Sequence, residues 1–275
     1  MIPKIIHYIW FGGNPLPEDA IKCIESWKKY CPDYEIKEWN ESNFDLNSCS
    51  YIKEAYQAKK WAFVSDYARL YVLYKYGGIY MDTDVEVIKP LDRFLKLKAF
   101  SGFENERDIP TGIMACEKSH PLFEELLSEY DHIHFIDENG NYDLTTNVTR
   151  ITKTCVKKGL VRNNRRQTIA DFTLFPKDVF CPLNSQTGIL EKTKYTHTIH
   201  WFSGSWKSQK EKEIHSKSIL IQKKIPGFMG KIIGYSYEYI FKTFLIMKEE
   251  GIKSFTKRLI QFIQKRSGKV KKNND

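Results

Sequence analysis

No C-x-x-C pair occurs in this 275-residue chain, and its six cysteines (Cys23, Cys31, Cys49, Cys116, Cys155, Cys181) stand far apart. That spacing argues against a zinc site and against a disulfide frame, and it points to free, buried thiols in a reducing compartment. No run of about 18 apolar residues is present, so a membrane-crossing helix is not expected. The opening Met1-Ile2-Pro3-Lys4-Ile5-Ile6-His7 lacks the charged start, long apolar stretch and cleavage site of a signal peptide. The expectation is therefore a soluble, cytoplasmic protein. Internal repeats and low-complexity segments are also missing. What the chain has is core: 41% hydrophobic and 14% aromatic residues exclude wholesale disorder. The length suits one large domain or two small ones.

Charge is distributed unevenly. Residues 207–275 hold 17 Lys and Arg against 6 Asp and Glu, a net of +11, so the whole-chain value of +9 leaves −2 for residues 1–206. A nucleic-acid enzyme would more often spread basic residues around its cleft, and none is expected as a partner. A basic tail beyond a neutral body suits an anionic surface instead. The composition breaks near Ser205-Trp206, and the chain divides into a body, 1–210, and a basic helical extension, 211–275.

Ile5-Ile6-His7-Tyr8-Ile9-Trp10 reads as a strand buried on both faces, as in parallel sheets. Pro17-Glu18-Asp19 opens a helix, with acids at its positive end. Ile21, Ile24 and Trp27 keep the helical period until Pro32, and Tyr34–Trp39 alternates as a second strand. Strand, helix, strand within forty residues predicts a Rossmann-like α/β fold. A long helix is expected over Tyr51–Tyr76, broken near Lys59-Lys60 and ended by Gly77-Gly78. Strands follow at Ile79–Met81, Val85–Ile88, Ala99–Phe103, Gly112–Cys116 and Tyr195–Trp201, with a helix at Pro121–Tyr130 and loop and strand at Phe175–Phe180.

Asp82 and Asp84, at i and i+2 in a segment read as extended, would point to one side. They follow an apolar strand, where open α/β sheets bind ligands. Two carboxylates so close repel unless a cation sits between or near them, and Mg²⁺ or Mn²⁺ takes such oxygen ligands and shares them with substrate phosphates. An isolated acidic pair of this spacing says little, but its surroundings are specific: Ser65-Asp66 and Arg69, then Gly77-Gly78-Ile79-Tyr80-Met81-Asp82-Thr83-Asp84.

With these residues the chain resembles the retaining, metal-dependent sugar-nucleotide transferases of glycosyltransferase family 32. These include yeast initiating mannosyltransferases and the glucosylating domains of large clostridial toxins. Ile2–Gly12 carries the same resemblance, as does His197–Trp206, and the short length resembles bacterial members that build capsules and other surface glycans. The resemblance implies a GT-A type nucleotide-sugar-binding domain over 1–210, with a helical C-terminal extension. It implies that Ile9 and Trp10 pack on the nucleotide base and that Asn43 contacts the donor. Asp66 and Arg69, with Ser65 beside them, would reach the donor sugar, and Arg69 would help hold phosphate charge. Tyr80 would contact nucleotide or phosphate, Asp82 ribose and metal, and Asp84 the metal directly. From the residues alone, Asp66 and Arg69 at i and i+3 also suit an ordinary helix ion pair.

In the late cluster, His200 resembles the metal ligand of bacterial members, and imidazole suits Mn²⁺. Trp206 resembles an indole that donates to the diphosphate, with Ser203 or Ser205 assisting the metal. His197 would face the opposite side of a strand. His132 and His134 also have a ligand spacing, without a partner motif. The implied activity is transfer of a hexose or N-acetylhexosamine, from a UDP-linked donor, to a lipid-linked or growing capsular polysaccharide, with Mn²⁺ or Mg²⁺ as cofactor. A nucleotide-sugar or glycan-binding protein without turnover, and a nucleotide-sugar hydrolase, are the alternatives.

In the tail, Ile240, Phe241, Phe244, Leu245 and Met247 form one apolar group. Ile252, Phe255, Leu259 and Phe262 form a helical stripe flanked by Lys253, Lys257 and Arg258. Two readings stand: helices that pack on the body, or an interfacial amphipathic anchor on the inner face of the plasma membrane.

Overall fold

The computed structural model describes residues 1–205, 208–225, 227–245, 247 and 248. The chain forms two compact units, residues 1–185 with 189–203, and residues 186–188 with 204 onward. The tail stripe from Ile252 to Phe262 lies outside the described residues.

In the first unit, β1 (Ile5–Ile9) is the apolar run, and its last four residues are buried. α1 (Glu18–Tyr30) starts after Pro17, with Glu18 and Asp19 in its first turn and Lys28 and Lys29 in its last, matching the helix dipole at both ends. β2 (Glu35–Trp39) pairs parallel to β1. α2 (Ser50–Gln57) and α3 (Trp61–Tyr76) break where the sequence places the break, at Lys59, whose φ is 54°. α3 ends at Gly77, and β3 (Gly78–Met81) begins at once.

The glycine pair there is a steric requirement. Gly78 has φ 105°, and a Cβ on it would lie 2.7 Å from the Ile5 carbonyl oxygen and 3.0 Å from the His7 ring. The absence of a side chain lets β3 lie parallel beside β1. His7 is fully buried in that space: the Trp39 indole N–H donates to Nδ1 at 3.1 Å, and Nε2 meets the Gly77 carbonyl at 2.8 Å. These partners require the neutral Nε2–H tautomer.

The sheet continues through β5 (Ala99–Gly102), β6 (Ile113–Cys116), β7 (Gln167–Ile169) and β8 (Phe172–Phe175) in the order β2-β1-β3-β6-β5-β8-β7. It is mixed, since β6 runs antiparallel to both β3 and β5. β4 (Val85–Val87) leaves it to pair antiparallel with β9 (Thr198–His200). One apolar cluster holds Tyr51, Tyr67, Leu70 and Phe123, and another holds Trp27, Phe94, Phe100 and Phe180. α4 (Pro121–Ser128) fills most of the helix expected to reach Tyr130.

One local expectation is corrected, and one helix was not expected. Phe175–Phe180 is the end of β8 followed by the short helix α6 (Lys177–Phe180), because Pro176 halts the strand and starts the helix. α5 (Asn147–Lys157) has no counterpart in the sequence reading: its threonines lower helix propensity, and Thr146 caps it by accepting from the Thr149 N–H. The six cysteines are free thiols, five of them buried.

The second unit contains α7 (Gln209–Lys224), opened by a capping box between Ser208 and Glu211, and a further helical stretch over 227–245. Among the described residues, no helix is long and apolar enough to cross a membrane.

Candidate active site

β1 and β3 are parallel neighbours, so their carboxyl ends open on one edge of the sheet. Asp82 follows β3 at that edge. Its N–H donates to the Gly112 carbonyl at 2.8 Å, and its carbonyl accepts from the Val85 N–H at 3.0 Å. Asp82 to Val85 is therefore a tight turn and not the extended segment expected, but the turn still leaves both acids beside one histidine. His200 ends β9 opposite Val85. Its Nε2 lies 3.2 Å from Asp84 Oδ1 and 3.9 Å from Asp82 Oδ2. One ligand atom from each of the three residues falls within 4.8 Å of the others.

The donor set suits a divalent cation. Asp66, Asp82 and Asp84 carry three negative charges against the single positive charge of Arg69, leaving two when the imidazole is neutral, as a ligand must be. Burial alone would raise the Asp84 carboxyl and lower the His200 imidazole. Their mutual attraction reverses both, with the acid held below its ordinary range and the imidazole well above its own. Asp84 is also held from behind, as Oδ2 accepts from the Ser203 N–H at 2.8 Å and its carbonyl accepts from the Trp201 N–H at 2.9 Å. Phe202, between these two donors, has φ 54° and stacks on the His200 ring at 4.1 Å. A bulky residue in the left-handed region signals a backbone held against its preference.

Arg69 joins this cluster to α3. It is 5% exposed, and Nη2 meets Asp66 Oδ1 at 3.3 Å while Nη1 meets Asp82 Oδ1 at 3.4 Å. Nη1 also donates to the Thr111 carbonyl at 3.0 Å, and the guanidinium lies over the Tyr80 ring at 4.7 Å. The Tyr80 hydroxyl donates to Asp82 Oδ1 at 2.6 Å. Burial pushes the Asp66 carboxyl up to about 6 against the pull of Arg69.

Three residues outside the sequence reading complete the arrangement. Asn147, at the first turn of α5, donates its N–H to Asp66 Oδ2 at 3.0 Å and its amide to the Asp66 carbonyl at 2.6 Å, and accepts from the Tyr130 hydroxyl at 2.7 Å. Thr111 and Gly112 hold Arg69 and Asp82 through consecutive carbonyls. Gly112 also faces His200 so closely that a Cβ would lie 2.6 Å from Nδ1. That nitrogen is buried without a hydrogen bond, with the Cys181 thiol beside the ring. No pattern of residue types reveals these roles, because backbone carbonyls and an absent side chain carry two of them.

The other expected residues have these surroundings. Ile9 is core, while Trp10 is half-buried, its indole donating to the Asn14 carbonyl at 2.6 Å. Both ends of the Asn43 amide close its own loop, donating to the Glu38 carbonyl and accepting from the Asn40 N–H, each at 2.9 Å. Ser65 Oγ donates to the Trp61 carbonyl at 3.0 Å. Ser203 reaches Asp84 through its main chain. Ser205 is an exposed turn residue of the second unit, and Trp206 lies outside the described residues. His197 points into the core against Phe94, and His134 pairs with Glu54. A cleft of about 470 Å³ is lined by Asp19, Lys22, Cys23, Glu86, Trp201 and Ser203. Its Trp201 indole is 41% exposed and donates to Glu86 at 3.1 Å.

Residues 17–101 match the family described as glycosyltransferase sugar-binding region containing DXD motif, and Asp82-Thr83-Asp84 is that motif here. The chain is 30% identical over 138 residues to inositol phosphoceramide mannosyltransferase 3 of Schizosaccharomyces pombe, covering 49% of this chain and 38% of that protein. It is 28% identical over 168 residues to an uncharacterized glycosyltransferase of Acanthamoeba polyphaga mimivirus, covering 56% of this chain and 67% of that one. Among solved structures, a galactosyltransferase, LgtC, solved with donor and acceptor sugar analogs, aligns over 74% of this chain and 90% of its own, with a TM-score of 0.43 and 11% identity. The chain spans less than half the length of the fungal mannosyltransferase it matches.

Proposed function

We propose that the protein is a metal-dependent, retaining glycosyltransferase of the GT-A type. It would move a hexose or N-acetylhexosamine from a UDP-linked donor to a lipid-linked or growing surface polysaccharide. One observation carries the reading: Asp82, Asp84 and His200, far apart in the sequence, form a single ligand-spaced cluster, which Arg69 joins to α3. Asp82, Asp84 and His200 would hold Mn²⁺ or Mg²⁺. A bound divalent ion supplies charge neutralisation for the departing diphosphate. Arg69, fixed by Asp66, Asp82 and Thr111, directs a guanidinium to the same edge, where it would offset phosphate charge without reorganising. Asp66, positioned by Asn147, would orient donor hydroxyls. The cleft beside Trp201, with an exposed ring and flanking carboxylates, would take the sugar acceptor. A capsular acceptor places the enzyme in the cytoplasm, peripheral to the inner face of the plasma membrane.

The test is a panel of nucleotide sugars, each incubated with purified protein and Mn²⁺, with released nucleotide measured. Release from a UDP-sugar, abolished by EDTA and restored by Mn²⁺, is expected. Release that survives excess EDTA would overturn the metal assignment, and release from no donor would overturn the enzyme.

A further inference from the structure

The second unit packs its helices inside out. The contacts between 227–245 and α7 include glycine, serine, glutamine and charged groups. Ser218 Oγ donates to the Gly234 carbonyl at 2.9 Å, and a Cβ on Gly234 would lie 2.5 Å from the Gln222 side chain. Glu238 meets His215 at 3.0 Å and Lys242 at 2.6 Å. Apart from Leu245, which is buried, the large apolar residues of this stretch face outward: Phe228 is 77% exposed, Phe244 64%, Ile240 60% and Met229 58%.

The periodicity makes this a continuous face. At about 100° per residue, the half of the circumference running from Tyr235 round to Phe244 carries no charged residue, and Lys231, Glu238 and Lys242 all fall on the other half. A helical hairpin surrounded by water would bury Phe228, Ile232, Ile240 and Phe244 and expose Glu238. Here the small and ionic groups are inside, so the surroundings that suit the outer face are apolar.

A second copy of the chain would cover an apolar face, but it would bring two segments of net charge +11 together. An anionic lipid surface satisfies both features, taking the apolar side chains into its interface and the lysines onto its headgroups. We propose that the outer face of 227–245 lies in the interfacial layer of an anionic bilayer. This holds whatever sugar the first unit transfers.

The full-length chain is tested by co-sedimentation with phosphatidylcholine vesicles with and without phosphatidylglycerol. Expected are binding to the anionic vesicles, loss of that binding in high salt, and a drop of about tenfold or more for Ile232→Glu combined with Ile240→Glu. Both sites are exposed, so the melting temperature and donor hydrolysis should match the parent. Phe228→Ser, a milder change on the same face, should give an intermediate loss. Equal binding to both vesicle types overturns the anionic assignment, and unaltered binding of the double variant overturns the face. A lipid-free dimer by light scattering that the double variant makes monomeric would assign the face to a second copy and overturn the proposal. Donor hydrolysis with no vesicle binding would overturn this inference alone and leave the proposed activity standing.

Discussion

Gly112 governs a metal ligand by what it lacks. Its backbone has no positive φ, so an added methyl would cost little in conformation, but it would occupy space 2.6 Å from His200 Nδ1. Gly112→Ala is therefore expected to displace the ring without unfolding the chain, weakening Mn²⁺ binding by about tenfold or more with a nearly unchanged melting temperature. Calorimetric titration with Mn²⁺ checks this, and unaltered affinity would show that the ring is free to move. Asp84→Asn acts on charge instead. It leaves the contact with the Ser203 N–H in place and removes one negative charge from the cluster, so turnover should fall about a hundredfold or more with an unaltered circular dichroism spectrum. Nucleotide release by the purified variant at the parent's rate would remove Asp84 from the metal site. Arg69 shows how the residue scale was only half legible. Its i, i+3 relation to Asp66 suggests a helix ion pair, and the pair exists, but the same guanidinium also meets Asp82 and Thr111.

At the scale of elements, β1, β2 and the end of α3 meet on one imidazole. Burial lowers the His7 pKa to about 4 from an ordinary 6.5, although the Gly77 carbonyl pulls the other way. Because the folded value is depressed, the unfolded chain binds more protons between these two values. The contribution of His7 is thus complete above about pH 6.5 and is lost as pH falls through 4, for a total of about 3 kcal/mol. Urea denaturation of the parent and His7→Gln across pH 7 to 4 should show this extra slope in the parent only. Equal slopes would mean that His7 takes up its proton as readily in the folded chain as in the unfolded one. The glycine-terminated α3 was readable because Gly77-Gly78 has a local steric meaning. α5 was not: its threonine-rich sequence argues against a helix, and the contacts that hold it, Asn147 to Asp66 and Tyr130, come from residues far away in the chain.

At the scale of the molecule, the described metal-site and Arg69 residues lie before residue 204, in the first unit, while the basic excess lies after it. A chain ending at residue 224 should thus keep donor hydrolysis within about threefold of the parent, because it retains every group assigned to charge stabilisation. Steady-state nucleotide release measures it. A loss of hydrolysis together with a lower melting temperature would make the tail part of the catalytic fold.

The sequence by itself determined the α/β class, the break at Lys59, the glycine stop of α3 and the acidic pair after β3. Each depends on neighbours within a few residues, through periodicity, steric freedom or charge. Tertiary structure decided which histidine joins the acids, because β4 and β9 had to pair before His200 could stand opposite Val85. It also decided that Thr111 and Gly112 hold the site, since a carbonyl has no residue type to read. The outer face of 227–245 was decided in the same way. Its apolar residues are visible in the sequence, but an apolar stripe ordinarily turns inward, and only the close approach allowed by Gly234 shows that this one does not.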